Sequence, residues 1–316
     1  MTYKAQGTIT LPNPKTTDGD TRQLGVEIEF GGLKEEAVSE IVIDCFGGKT
    51  VPRDDKGLIM EDTEIGDIEV YLDSQYLHQA ESSFDKKLLD IARKFVPLEL
   101  VTSPFPHTAL DKLDVIVDRL KQAGAVGTDG GLLLGYGVHF NPEVEALTLE
   151  KILPVLTAYA LCEDALRDAA DIDLSRRALP FVDPYPRALV DALAERDFGS
   201  MEELIDCYLE LAPSRNYGLD MMCIFAMIDK DRVAAKMDMA TISARPTYHF
   251  RLPDCRIDQD DWSLELEWQR WIKIEKVARD ADLLEDLKEA WKEHRASLTS
   301  IRSDWRKESS KLTGDF

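Results

Sequence analysis

The stretch that most restricts what this chain can become is Leu24-Gly25-Val26-Glu27-Ile28-Glu29-Phe30, closed by Gly31-Gly32. Successive side chains of a strand point to opposite faces, so Val26, Ile28 and Phe30 share one face and Glu27 and Glu29 the other. β-Branched and aromatic residues suit a pleated surface with one side in a core, and a glycine pair suits a tight exit. Two readings of the polar face stand open. It is the wet side of an ordinary half-buried strand, or a rigid mount that presents several hard oxygens to a divalent cation such as Mg²⁺.

The bulk properties narrow the partners. With 316 residues, 44% of them hydrophobic, the chain has room for one large domain or two smaller ones and for a sizeable core. Its net charge of -22, from 38 Lys and Arg against 60 Asp and Glu, repels a phosphate backbone, so no nucleic-acid partner is expected. A nucleotide stays admissible where divalent metal masks its phosphates. The five cysteines (Cys45, Cys162, Cys207, Cys223 and Cys255) are odd in number and widely spaced, with no Cys-x-x-Cys. Buried reduced thiols in a cytosolic protein are expected, rather than a disulfide framework or a zinc ribbon. Met1–Pro14 carries no apolar leader, and the longest apolar run, Met221–Ile228, is too short to span a bilayer. A cytoplasmic location without a membrane partner is the expectation.

Along the chain, residues 1–22 read as a loose N-terminal arm. A helix is predicted over Glu35–Cys45, ending at Gly47-Gly48. Leu58–Met60 and Ile68–Leu72 read as a hairpin with an acidic connection, followed by a turn at Asp73-Ser74. Phe84–Phe95 and Ala109–Gly124 are amphipathic helices. Between them, Pro97–Pro104 is a strand with Glu99 facing away from Leu98 and Leu100. The glycines that follow fit neither GxGxxG in its strand–turn–helix setting nor GxxxxGK[ST]. They lead into a strand, Leu132–Asn141, where Gly137, His139 and Asn141 face opposite to Val138 and Phe140. Small Gly137 leaves room beside His139.

Helices fill about 148–240, including an apolar Met221–Met239 read as core filling. Arg245–Arg251 is the last strand, with Thr247, His249 and Arg251 opposite to Tyr248 and Phe250. Its arginines suit phosphate or carboxylate oxygens, with surface salt bridges as the plainer alternative. Asp261–Lys311 reads as a long charged helix or helix pair that packs at home or offers a partner surface, so an oligomer is open.

Four strands thus put polar groups on one face: Glu27 and Glu29, Glu99, His139 and Asn141, His249 and Arg251. Together they predict an α+β fold, a curled antiparallel sheet around the active site with helices on its outer side and a helical C-terminal extension. Carboxylates with histidine suit Mg²⁺ or Mn²⁺ better than structural zinc, and nearby arginines suit a transferring phosphoryl group.

The order Gly-Val-Glu-Ile-Glu-Phe (25–30), Glu-Leu-Val-Thr-Ser-Pro (99–104), a helix, then Gly-Val-His-Phe-Asn (137–141) resembles the amidoligases. These belong to the carboxylate–amine ligase superfamily that includes glutamine synthetase and glutamate–cysteine ligase. The resemblance is most specific over 24–142 and resumes at 245–253. It implies a catalytic domain over 23–256 with a helical insertion at about 148–240, between an arm at 1–22 and a helical extension at 257–316.

It also implies ATP and Mg²⁺ (or Mn²⁺) as cofactors. The γ-phosphoryl would pass to a carboxylate, and an amine would displace phosphate from the acyl phosphate to form an amide or isopeptide bond. Amino-acid, glutamyl or peptide substrates fit, with a glutamine-amidotransferase-like protein as partner. Carried over, Glu27, Glu29, Glu99 and His249 would be metal ligands. His139 and Asn141 would sit by the metals or the ATP phosphates, and Arg251 and Arg245 would neutralise the transferred charge. Asp73 is a weaker acidic candidate. Two positions depart from the pattern. His249 stands where relatives carry Glu in Thr-x-Glu-Phe-Arg, and Asn141 where many carry a second histidine. A neutral imidazole still ligates metal but brings one less negative charge. The alternatives are a diverged, non-catalytic nucleotide- or metal-binding relative and a metal-dependent hydrolase using the same Glu/His cluster.

Overall fold

Alternation over residues 24–30 produces the strand it predicts, one residue longer at its start. In the computed structural model, which describes residues 10–54, 57–72, 96–128, 135–173, 176, 182–297, 301–314 and 316, this strand is β1 (Gln23–Phe30) in the middle of a nine-stranded sheet. From one edge the order is β2 (Lys49–Asp54), β3 (Gly57–Glu61), β4 (Ile68–Leu72), β5 (Leu98–Thr102), then β1. Beyond β1 come β7 (Val138–Pro142), β9 (His249–Phe250) and β8 (Leu219–Asp220), while β6 (Phe105–Pro106) pairs with the start of β1. Every pairing is antiparallel, and among the described residues the sheet does not close into a barrel. Strand β2 was not expected from the sequence. It contains Pro52, tolerable because β2 is an edge.

The apolar face of the sheet, with Val26, Ile28, Phe30, Leu100, Val138, Phe140 and Phe250, is fully buried. Helices α1 (Glu35–Phe46), α2 (Leu110–Ala123), α3 (Leu149–Ala169), α4 (Arg187–Glu195) and α5 (Met201–Leu211) follow in chain order, then α6 (Met222–Ile228), α7 (Lys230–Ala234), α8 (Leu264–Arg279), α9 (Ala281–Ala296) and α10 (Arg302–Thr313). α2 buries Leu110, Leu113, Val117 and Leu120 as its spacing predicts, and it ends at Gly124, whose φ of +100° few other residues adopt. α8 lays Trp268 against Phe140, centroids 5.6 Å apart, and Trp271 against Phe250 at 5.4 Å. The predicted tryptophans of the C-terminal segment therefore pack on the sheet itself.

Several expectations change. The apolar run Met221–Met239 is not one helix: Asp229 leaves helical geometry, ends α6 and accepts the Arg232 N–H at 3.0 Å to start α7. The C-terminal segment is three helices. Asp280 closes α8 and caps α9 by accepting the Leu283 N–H at 3.0 Å. Residues 10–22 are no loose arm, since Leu11 is buried and Arg22 is 1% exposed, forked onto Glu275 at 2.7 and 2.8 Å. The strand over 245–251 shrinks to His249–Phe250, and that over 132–141 begins, within the described residues, at Val138. Asp73-Ser74 and the helix Phe84–Phe95 lie outside the described residues. The five cysteines are free, and no helix among the described residues is long and apolar enough to cross a membrane.

One core carboxyl couples stability to pH. Glu163 on α3 is 3% exposed, accepts the Tyr185 N–H at 2.8 Å and lies 3.9 Å from Arg167. Burial pushes its pKa from 4.5 up to about 7, against the pull of Arg167 and the Tyr185 amide. The folded state thus holds this proton more tightly than the unfolded chain. Between those two values the native state binds more protons, so stability falls as pH rises, and the loss is complete above about pH 7. Glu163→Gln, which keeps the acceptor, is expected to remove this slope, worth at most about 3 kcal/mol. Urea midpoints from pH 4.5 to 8 for both proteins check it. Parallel curves would contradict the assignment.

Candidate active site

Strand register builds the site. β1 sets Glu27 opposite His139 and Gly25 opposite Asn141 on β7, and Glu29 opposite Glu99 on β5. β5 in turn sets Glu99 opposite Tyr71 on β4. On the other side β9 sets Phe250 opposite Phe140, and β8 sets Asp220 opposite His249. Because strand faces alternate with period two, these pairings put every polar side chain named here on the face away from the core.

Glu27 is the hub. Its Oε2 lies 2.9 Å from His139 Nδ1 and 3.8 Å from His249 Nε2. Its Oε1 accepts Asn141 Nδ2 at 2.8 Å and Arg245 Nη2 at 3.5 Å, while the same Arg245 nitrogen donates to Asn141 Oδ1 at 2.7 Å. Glu29 accepts the Gly137 N–H at 2.6 Å and faces His139 Nε2 at 3.9 Å. The two imidazoles meet edge-on with centroids 5.2 Å apart. His249 Nδ1 lies 3.4 Å from Asp220 Oδ2, and Asp220 is fixed by Arg215 Nε and the Met222 N–H, both at 2.9 Å. Arg251 is half-buried, donates to the Arg215 carbonyl, and keeps a buried Nε without a partner among the described residues.

The electrostatics sort these groups. Burial pushes the Glu27 carboxyl up, but the hydrogen bond from His139 and the neighbouring His249 imidazole outweigh it and hold it well below the usual carboxylate range. Burial also pushes His139 down, more than Glu27 and Glu29 lift it, which favours its neutral form. Burial opposes the charge on His249 too, yet Asp220, Cys223 and Glu27 prevail and push it up to about 10. Tyr71 is raised by burial and by the adjacent Glu99, to which it hydrogen-bonds.

The residues suit a cation. One oxygen of Glu27 and one ring nitrogen from each of His139 and His249 lie within 4.8 Å of one another. His249 is 5% exposed, and its Nε2, aimed at Glu27, has no hydrogen-bond partner among the described residues. A buried donor atom of this kind is costly unless something meets it. Of the residues singled out from sequence, Glu27, His139 and His249 converge. Glu29, Asn141 and Arg245 touch them directly, and Glu99 sits one strand over beside Glu29.

Asp220, Arg215, Arg176 and Tyr71 escaped the sequence reading. Asp220 lies on a two-residue strand, too short to show alternation, and Arg215 precedes it in a loop. Tyr71 was legible, since it alternates with the buried Ile68 and Val70. The space beside Gly137 is not open, as its neighbours had implied. The Arg176 guanidinium fills it, donating to the carbonyls of Leu252 and Arg251 and to Asp254 at 2.9–3.0 Å. A Cβ at position 137 would stand 2.6 Å from Arg176 Nη2 and 3.3 Å from His139 Nε2. Gly137→Ala is therefore expected to destabilise the fold by about 1–3 kcal/mol. Chemical denaturation measures it, and an unchanged midpoint would mean that the guanidinium simply moves aside.

Searches of curated proteins and of solved structures each return no match. A sequence profile for the family described as "putative amidoligase enzyme" matches residues 20–273. That span takes in all nine strands and each side chain of the Glu27 cluster, and with it the chain belongs to the amidoligase family.

Proposed function

We propose that the chain is an ATP- and Mg²⁺-dependent carboxylate–amine ligase that forms an amide or isopeptide bond through an acyl phosphate, in the manner of glutamine synthetase and its relatives. Amino-acid, glutamyl or peptide carboxylates are the substrate class. The observation that supports this most is the buried carboxylate–imidazole cluster at the centre of the amidoligase sheet, with arginines on both sides.

Glu27, His139 and His249 would hold Mg²⁺ or Mn²⁺, with Glu29 and Glu99 alongside. When bound, the metal supplies charge neutralisation for the phosphates of ATP. The chain's own residues do the rest. Asn141 and Arg245 fix the Glu27 carboxylate by donating to its Oε1. The depressed pKa keeps that carboxylate anionic at every physiological pH. Arg251, half-buried and charged, and Arg245 offset charge on the phosphoryl group in flight. The phenol of Tyr71 stays protonated beside Glu99 and orients it. A soluble cytoplasmic enzyme working with a glutamine-amidotransferase-like partner fits this chemistry.

Isothermal titration of Mg²⁺–ATP into the wild type and into a Glu27→Gln/Glu29→Gln variant tests the reading. Metal-dependent binding that the folded variant lacks supports it, and phosphate release should then need both a carboxylate and an amine. No nucleotide binding by folded wild type overturns it in favour of a diverged relative. Metal-dependent hydrolysis without ATP would instead identify a hydrolase.

A further inference from the structure

A second donor set adjoins the first and is chemically different from it. A carboxylate oxygen of Asp220, the Cys223 sulfur and a ring nitrogen of His249 all lie within 4.8 Å of one another, and all three side chains are buried. The carboxylate and the imidazole are already aimed at each other, Asp220 Oδ2 standing 3.4 Å from His249 Nδ1. Arg215 and the Met222 N–H fix the orientation of Asp220 from outside, as hydrogen-bonded outer partners do for metal ligands. Cys223 lies in the first turn of α6, and its carbonyl accepts the Arg245 N–H at 3.2 Å. The Cys223 backbone is thus tied to the segment whose Arg245 side chain addresses the Glu27 carboxylate.

The geometry points to a cation site of zinc type at Asp220, Cys223 and His249, distinct from the Glu27–His139–His249 group and sharing only His249 with it. A sulfur, an imidazole and one carboxylate make a set that thiophilic or borderline ions such as Zn²⁺ and Cd²⁺ prefer and Mg²⁺ does not. Three protein ligands leave a fourth position open. His249 borders both sites because its nitrogens face opposite ways, Nε2 towards Glu27 and Nδ1 towards Asp220, and as a neutral imidazole it ligates in one of them at a time. On binding, the thiol proton of Cys223 and the proton held between His249 Nδ1 and Asp220 pass to solvent, and the ion takes their place. Among the described residues, Cys45, Cys162, Cys207 and Cys255 belong to no such group.

The test reads coordination rather than turnover, so it stands apart from the ligase reading. Cd²⁺ is titrated into the full chain carrying Cys45→Ser, which removes the half-exposed thiol, and the near-ultraviolet thiolate-to-Cd²⁺ charge-transfer band is followed. One equivalent should saturate the band, Zn²⁺ should displace it, and excess Mg²⁺ should leave it. Cys223→Ser should abolish the band, and Asp220→Asn should weaken Cd²⁺ binding at least about tenfold. Cys223→Ala serves in place of the serine variant should circular dichroism show the latter unfolded. Absence of the band, its survival in a folded Cys223 variant, unchanged affinity in Asp220→Asn, or displacement by Mg²⁺ would each overturn the site.

Discussion

Replacing Glu27 by glutamine is expected to lower amide-bond formation about a hundred- to a thousandfold, the usual cost of removing one well-placed electrostatic group. The amide matches the carboxylate in shape but has a single acceptor. His139 Nδ1, Asn141 Nδ2 and Arg245 Nη2 all address this side chain, so at least one donor must then face the new NH₂ group. His249 loses one of the anions that lift it to about 10, and its titration should move downward. Kinetics of phosphate release and imidazole NMR titrations check the two halves separately. An unchanged rate in a folded variant would remove Glu27 from the machinery, whereas an unchanged His249 would contradict the electrostatic account alone.

The second large effect is structural. Glu275→Ala is expected to cost roughly 3–5 kcal/mol, because it strands a buried guanidinium. Arg22 donates to both Glu275 oxygens and to the carbonyls of Glu143 and Asn13, and the Trp271 indole N–H also ends on Glu275 at 2.9 Å. A loss of this size removes a large share of the stability of an ordinary domain. The exposed pair Lys49–Glu61 offers the contrast, and breaking it should leave the urea midpoint essentially unchanged. Urea denaturation of the two variants side by side would show the difference. Equal midpoints would mean that Arg22 finds water or another partner once Glu275 is gone.

What could be read from the chain follows from how far each signal extends. Seven residues of alternation at 24–30 defined β1, its buried face and the two glutamates on the other. Two residues at 219–220 carry no period, so Asp220 was invisible although it grips His249. Helical spacing from Ile274 to Trp291 runs straight through Asp280, because one capping side chain breaks a helix without disturbing the apolar pattern around it. The same holds at Asp229. Gly137 announced space, but the occupant, Arg176, comes from a segment with no pattern linking it to β7. The Arg22–Glu275 pair joins positions 253 apart, beyond any local rule.

That separation has a consequence for the chain as it is made. A ribosome adding roughly 5–20 residues per second leaves Arg22 waiting on the order of tens of seconds for Glu275 to emerge. Glu27 waits nearly as long for Arg245, 218 positions later, and for His249 just beyond it. Until then β1 carries an unpaired cation at one end and half a donor set along its face, while β7 is the nascent edge that waits for β9, a form that invites chaperone attention. Activity should therefore appear only after release of a nearly complete chain, and ribosome-tethered fragments ending before residue 249 should lack it.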